Sequence, residues 1–179
     1  MIELKPISAL SDWSAKTIGQ VSLSEVVPKR ITSLAPFRGQ DTVISEWLME
    51  KIGVPFPTPN TAPNHGRVRA MWLGPGQALI FEAKLPPTPL AAMTDQTGAW
   101  AVIRLQGAQV EQVLARLIPV DLRQSAMPIN TTARTLIGHM TGSVTRVDVD
   151  TFDVMVMRSM ATTLCKELEH AATGIAGRG

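Results

Sequence analysis

The chain has 179 residues, a length that fits one ordinary domain or two very small ones. Its composition is 45% hydrophobic and 18% charged, which supplies a sizeable core and excludes wholesale disorder. The 17 Lys and Arg are balanced by 15 Asp and Glu, and four Phe with no Tyr provide few stacking aromatic rings. Since nucleic-acid binding needs excess positive charge or such rings, we expect no nucleic-acid partner.

A single cysteine, Cys165, excludes an internal disulfide and a multi-thiolate metal site, and it fits a reducing compartment. The first residues have no apolar stretch of signal-peptide length, and no segment reaches the length of a membrane span. These features predict a cytoplasmic protein with no membrane partner.

Proline and glycine residues divide the sequence into an N-terminal arm and two similar halves. The arm, residues 1–28, lacks strong periodicity and is predicted to be extended. Trp13 is expected to anchor it on a neighbouring surface. When the chain is isolated, we expect the arm to be poorly ordered or packed on a second copy, so a homo-oligomer is an open alternative.

The first half, residues 29–85, is predicted to hold four elements in a fixed order. They are a strand (30–37), a helix that Asp41 caps and Gly53 ends, a proline-rich loop (55–63), and a hairpin (68–73 and 77–81) that turns at Gly74-Pro75-Gly76. A second proline cluster at 86–89 reads as the linker to the next half.

The second half, residues 95–174, repeats this order. It is predicted to hold a strand (100–105), a helix that starts after Gly107 and ends at Pro119, three strands (133–140, 144–149 and 152–156), and a final helix that Ser159 caps and Gly174 closes. Alternation along residues 100–105 indicates a strand with two unequal faces.

Gly39 and Gly107 occupy similar places in the two halves, 68 residues apart, which indicates an internal duplication. Neither half has enough helix to cover a sheet by itself. We therefore predict the α+β class: two similar strand-helix-hairpin halves that form one domain, with a mainly antiparallel sheet and packed helices.

Few residues of this sequence are suited to catalysis or metal binding. His65, His139 and His170 have no further ligands at metal-binding spacing, so no metal site is predicted. Cys165 lies on an apolar helix stripe and is expected to pack in the core. A methionine run on the last strand, Met155, Met157 and Met160, favours core filling, with an adaptable docking surface as the alternative.

Several segments, taken in order, resemble the gamma subunit of heterotetrameric sarcosine oxidase. They are Met71–Ile80, Thr94–Thr97, Val102–Gly107, Val113–Ala115, Pro119–Leu122 and Phe152–Ser159. The resemblance extends from about Ser22 to Ala172. The same segments are similar to the folate-binding fold of the glycine-cleavage T-protein.

This resemblance implies a bacterial complex that oxidatively demethylates sarcosine to glycine and passes the one-carbon unit to tetrahydrofolate. In that family FAD, FMN, NAD and tetrahydrofolate are held by the alpha and beta subunits and zinc by the delta subunit, so no cofactor is expected in this chain. It implies a non-catalytic assembly subunit that meets the alpha, beta and delta subunits, alpha most directly. The alternatives are a stand-alone folate-dependent aminomethyl-transfer enzyme and an unrelated small-ligand binding module.

One residue is carried over from the resemblance. Asp121 falls where the T-protein has an acidic residue that faces the pterin, so Asp121 is a candidate for folate contact. The other reading of Asp121 is a structural carboxylate that accepts hydrogen bonds from backbone donors of the following turn. No catalytic residue is predicted.

Overall fold

Two antiparallel sheets with helices on their outer faces make up residues 7–178, the part of the chain that the computed structural model describes. The elements in chain order are β1 (Lys16–Ile18), β2 (Val21–Val26), β3 (Ile31–Pro36), α1 (Asp41–Ile52), β4 (Asn64–His65), β5 (Val68–Gly74), β6 (Gln77–Phe81), β7 (Ala91–Asp95), β8 (Trp100–Gln106), α2 (Val110–Leu114), β9 (Thr132–Ile137), β10 (Met140–Asp148), β11 (Thr151–Met157), a 3-10 turn (Arg158–Met160) and α3 (Ala161–Ala176). The predicted α+β class is confirmed, with the strands divided between two sheets.

The two halves build their sheets in the same way. Each supplies a strand, a helix and three further strands, giving the orders β4-β5-β6-β3 and β9-β10-β11-β8. The strand that precedes each half crosses to the other sheet, because β2 pairs with β8 and β7 pairs with β3. The strands that precede the two halves are therefore exchanged, and each sheet is completed by a strand that comes before the other half.

The N-terminal arm differs from its prediction in the part that the structure describes. β2 is an inner strand of the six-stranded sheet, with Val21 and Leu23 buried. Trp13 packs on the core of its own chain, and its Nε1 donates a hydrogen bond to Glu169 Oε1 at 2.7 Å. The alternating apolar positions in this short strand are too few to stand out as a period, so the sequence did not reveal it. Residues 1–6 of the expected arm lie outside the described residues.

The layers follow from the alternation of side chains along the strands. Ala101, Ile103 and Leu105 of β8 face the core beneath α2 and α3, whereas Val102 faces the other sheet. This confirms the two unequal faces predicted for β8. Helix α1 covers the outer face of the five-stranded sheet through Ile44 and Leu48. The order of layers is helices, sheet, sheet, helix.

Helix ends were predicted with mixed success. Gly53 ends α1 in the left-handed conformation, with its N–H bonded to Met49 O, as predicted. Asp41, however, is the first helical residue and not the cap. Ser159 lies in the 3-10 turn and does not cap α3, which begins at Ala161 and continues through Gly174.

Helix α2 ends at Leu114, well before Pro119. The residues that follow it continue as turns and a long loop up to β9. No helix of residues 7–178 is long and apolar enough to cross a membrane.

Candidate functional site

An open cleft of 570 Å³ lies between the two sheets, at the end where β2, β8, β10 and β11 face β5 and β6. Apolar side chains from both sheets line part of it: Met71, Phe81, Val102 and Met155. This size is within the range of small-molecule sites in proteins. The cleft adjoins the core between the sheets, because Met71, Val102 and Met155 belong to the same buried cluster as Ile31 and Leu79.

A group of three charged side chains crosses the cleft; we call Arg69, Arg104 and Asp153 the cleft triad. Arg104 and Asp153 are register partners on the neighbouring strands β8 and β11. Arg104 Nε donates to Asp153 Oδ1 at 2.7 Å, and Arg104 Nη2 donates to Oδ2 at 2.9 Å. Arg69, from β5 of the other sheet, donates from Nη1 to Oδ2 at 3.3 Å. One carboxylate thus receives hydrogen bonds from two guanidinium groups.

The charges of the cleft triad do not cancel. Burial lowers the pKa of Arg69 and outweighs the opposing attraction of Asp153. The hydrogen bonds to Asp153 raise the pKa of Arg104 more than burial lowers it. Both guanidinium groups remain protonated at neutral pH, because arginine keeps its proton in proteins. The triad by itself therefore carries a charge of +1, which the other charged residues that line the cleft, Arg67, Glu82 and Asp148, bring to zero for the cleft as a whole. Arg69 Nε is buried with no hydrogen-bond partner among the described residues.

Two carboxylates at the rim are occupied by backbone donors. Glu82 Oε1 accepts the N–H of Lys29 at 3.0 Å, and Asp148 Oδ1 accepts the N–H of Val149 at 2.8 Å. Glu82 also has a positive φ of 61°, a conformation that is uncommon outside glycine. Both carboxylates therefore accept backbone donors, and neither forms a hydrogen bond with the guanidinium groups of the triad.

Sequence reasoning missed the cleft triad. Arg104 and Asp153 each stand alone among apolar residues in their strands, which is a signal of a buried or site-facing charge, but it does not say which residues meet. Arg69 lies on a different sheet and comes close to Asp153 only because the two sheets pack face to face.

Asp121 is exposed, in the loop between α2 and β9, and it does not line the cleft. Its Oδ1 accepts the backbone N–H of Arg123 at 3.0 Å, and its Oδ2 accepts Arg123 Nη2 at 2.5 Å. These side-chain and backbone hydrogen bonds lower the pKa of Asp121 to about 2. The geometry matches the structural reading of Asp121, in which the carboxylate accepts a donor of the following turn.

We expect the contribution of Asp121 to stability to depend on pH. The pKa of Asp121 is lower in the folded state than its ordinary value of about 3.9, so the stabilisation is present above about pH 4 and is lost as the pH falls toward about 2. Urea unfolding of the wild type and Asp121→Asn should differ at neutral pH and converge in acid. Arg123→Met should show the same convergence, and a constant difference at all pH values would contradict this assignment.

The environments of the other candidate residues do not indicate a reaction centre. Burial raises the pKa of the Cys165 thiol to about 11, as expected for a core cysteine and unlike a nucleophile. Among residues 7–178 no group of three or more His, Cys, Asp or Glu could hold a metal ion. Of the methionine run, Met155 is buried, whereas Met157 and Met160 are exposed, so core filling holds only for the first.

The described residues define a class of α+β protein with two similar units, in which the strand that precedes each unit pairs with the sheet of the other. No family model matches this sequence, and no curated protein matches it. Among solved structures, the fold is similar to a chain of the heterotetrameric sarcosine oxidase from Corynebacterium sp. U-96, determined in complex with pyrrole 2-carboxylate. The TM-score is 0.83 at 17% sequence identity, with 96% of each chain covered. At this identity the likeness shows a shared fold over almost the whole of both chains.

Proposed function

We propose that this chain is a non-catalytic assembly subunit of a bacterial sarcosine oxidase complex, corresponding to the gamma subunit, and that it acts in the cytoplasm. The observation that carries the proposal is the fold shared over 96% of both chains with one chain of a heterotetrameric sarcosine oxidase. Matching coverage in both directions supports an equivalent subunit rather than a portion of a larger one. The segments that resemble the gamma subunit in sequence are the reason for choosing that subunit.

The partners in this proposal are the alpha, beta and delta subunits, with alpha, the larger T-protein-like subunit, contacted most directly. FAD, FMN, NAD and tetrahydrofolate then belong to the partner subunits. The buried thiol of Cys165 and the outward position of Asp121 support a chain without its own reaction centre. The alternative, a stand-alone folate-dependent aminomethyl-transfer enzyme, depended on Asp121, and the ion pair with Arg123 gives that carboxylate a different partner.

We place the docking surface where the arm meets the last helix. Arg158 Nη2 donates to the carbonyl oxygens of Ile7 and Ser8 at 2.8 and 2.9 Å, which holds the arm beside the exposed Met157 and Met160. Methionine side chains adapt to the shape of a partner surface, and exposed apolar groups gain most from being covered. This surface, Ile7, Met157 and Met160, is proposed to contact the alpha subunit.

Copurification tests this proposal. The tagged chain, expressed with alpha, beta and delta subunits of sarcosine oxidase from its own source, should retain all three in fixed ratio. Met157→Glu combined with Met160→Glu should reduce their recovery at least tenfold, because two charges would be buried against an apolar partner surface. Recovery of the tagged chain alone from the wild-type coexpression would contradict the assembly role.

The matched control is Met49→Glu on α1, an exposed methionine on the opposite outer layer. Met49 is 50% exposed, compared with 49% for Met157 and 44% for Met160, so the substitutions place a charge at equally accessible positions. The control should leave recovery unchanged, and thermal unfolding should show that all variants fold. Equal loss in Met49→Glu would contradict the position of the docking surface. Formation of methylenetetrahydrofolate from sarcosine by the isolated chain would instead support the stand-alone enzyme.

A further inference from the structure

We propose that the cleft between the sheets is a binding site for a small organic anion, a carboxylate carried on a flat apolar group. The proposal goes beyond assembly and rests on this chain's own residues. Its basis is the juxtaposition of the guanidinium donors that Asp153 leaves free in the cleft triad with an apolar wall of Met71, Phe81, Val102 and Met155.

Free donors remain on both arginines of the cleft triad. Arg104 uses Nε and Nη2 on Asp153, which leaves Nη1, and Arg69 uses Nη1, which leaves Nη2. A guanidinium group has five N–H donors in a planar fork, so engagement of one edge leaves others for a second carboxylate. The Arg104 side chain is 39% exposed, which makes its free edge accessible from the cleft.

Asp153 prepares these arginines for a ligand. Its carboxylate is 11% exposed and accepts three hydrogen bonds, so it fixes the two guanidinium planes before any ligand arrives. Fixed donors lose less conformational freedom on binding than mobile ones. A second carboxylate would then lie across from Asp153 and accept the guanidinium donors that Asp153 leaves free.

The apolar wall determines the rest of the ligand. Met71 and Phe81 come from the five-stranded sheet, and Val102 and Met155 come from the six-stranded sheet. These side chains belong to one packed cluster, so they form a continuous apolar wall against which the ligand body would lie. Methionine sulfur and aromatic edges favour a flat ring as the packing partner. The cleft volume of 570 Å³ accommodates a bicyclic ring with its carboxylate.

A purely structural cleft triad, which only ties the two sheets together, predicts no preference for an anion. The test therefore compares 2-naphthoate with the neutral 2-naphthylmethanol by calorimetry on the full-length chain. We expect naphthoate to bind at least tenfold more tightly, since it alone pairs with the free guanidinium edges. Equal binding of the two compounds, or no binding of naphthoate, would overturn the proposal.

Methionine methyl groups report the position of the probe. In a chain with ¹³C-methyl methionine, naphthoate should shift the signals of Met71 and Met155, which line the cleft, through the ring current of the naphthalene. The exposed Met157 and Met160 lie elsewhere and serve as internal controls. Shifts at Met157 and Met160 without shifts in the cleft pair would overturn the assignment of the site.

Substitutions then separate charge from packing. Arg104→Met should abolish the tenfold preference for naphthoate while leaving the binding of naphthylmethanol within twofold. Arg38→Met, an exposed arginine that does not line the cleft, should leave both affinities unchanged. If Arg104→Met does not fold, Arg104→Lys retains the charge and should reduce the preference for naphthoate by losing the planar fork. An unchanged preference in every folded Arg104 variant would contradict the role of the triad.

Discussion

Replacing Arg146 by methionine should lower the free energy of unfolding by about 3–5 kcal/mol, because the substitution removes one partner of a buried, hydrogen-bonded charge group. Arg146 is fully buried on β10. Its Nε donates to Met127 O at 2.7 Å and its Nη2 to Glu111 Oε1 at 2.5 Å, with further bonds to the carbonyl oxygens of Leu122 and Val149. The guanidinium also lies 4.3 Å from the ring centroid of Phe152.

Methionine fills a similar volume but leaves these carbonyl groups without a donor, and each buried unsatisfied group costs about 1–3 kcal/mol. The loop between α2 and β9 should open first, because Arg146 binds two of its carbonyl groups. Urea unfolding measures the loss, and hydrogen exchange locates it. The control Arg38→Met changes an exposed arginine and should leave the unfolding midpoint unchanged. Equal effects of the two substitutions would contradict the role of Arg146.

The strands of this fold are largely visible in the sequence because their signals are local. β6 has the bounds predicted for it, and the turn before it contains Gly76 with a positive φ of 63°. The two faces of β8 follow from strict alternation of its side chains. Such features depend on neighbouring residues in the chain, which is what periodicity and turn composition record.

The division of strands between two sheets was not predictable in the same way. β2 and β7 each pair with a strand of the more distant half. The sequence of a short strand does not indicate which strand it pairs with. The helix errors have a related cause. Gly174 would ordinarily end a helix, but α3 continues through it to Ala176, where Ile175 is buried in the core. The burial of this last turn therefore overrides a local stop signal.

The candidate site was even less accessible to sequence reasoning. Asp121 was selected through the resemblance, and the structure gives it a neighbour two residues away. The residues that meet across the cleft, Arg69, Arg104 and Asp153, come from three strands in two sheets. Only the pairing of β8 with β11 and the face-to-face packing of the sheets bring them within hydrogen-bond distance. The similarity of the two halves was detectable in the sequence, but the way in which their sheets pack was not.

Gly107 follows β8, beside the start of the exchanged strand β2, and its replacement by alanine should be severely destabilising. Its φ of 141° is a conformation that side chains rarely adopt, and an added Cβ would be 1.9 Å from the backbone oxygen of Gln20. Gln20 lies in the turn between β1 and β2, so the contact can be relieved only by moving backbone that leads into an inner strand.

The glycine that precedes the helix in the other half provides the matched control. Gly39 also has a positive φ, of 81°, but an added Cβ would meet nothing within 4 Å. Gly39→Ala should therefore cost only about 1 kcal/mol, the strain of a left-handed alanine. Gly107→Ala should cost about 3 kcal/mol or more, since backbone strain and overpacking each contribute about 1–3 kcal/mol. Urea unfolding of the two variants, measured beside the wild type, tests the difference. Similar losses of unfolding free energy in the two variants would mean that the β1–β2 turn can move to accommodate the added Cβ. The close approach at Gly107 would then not fix the position of β2.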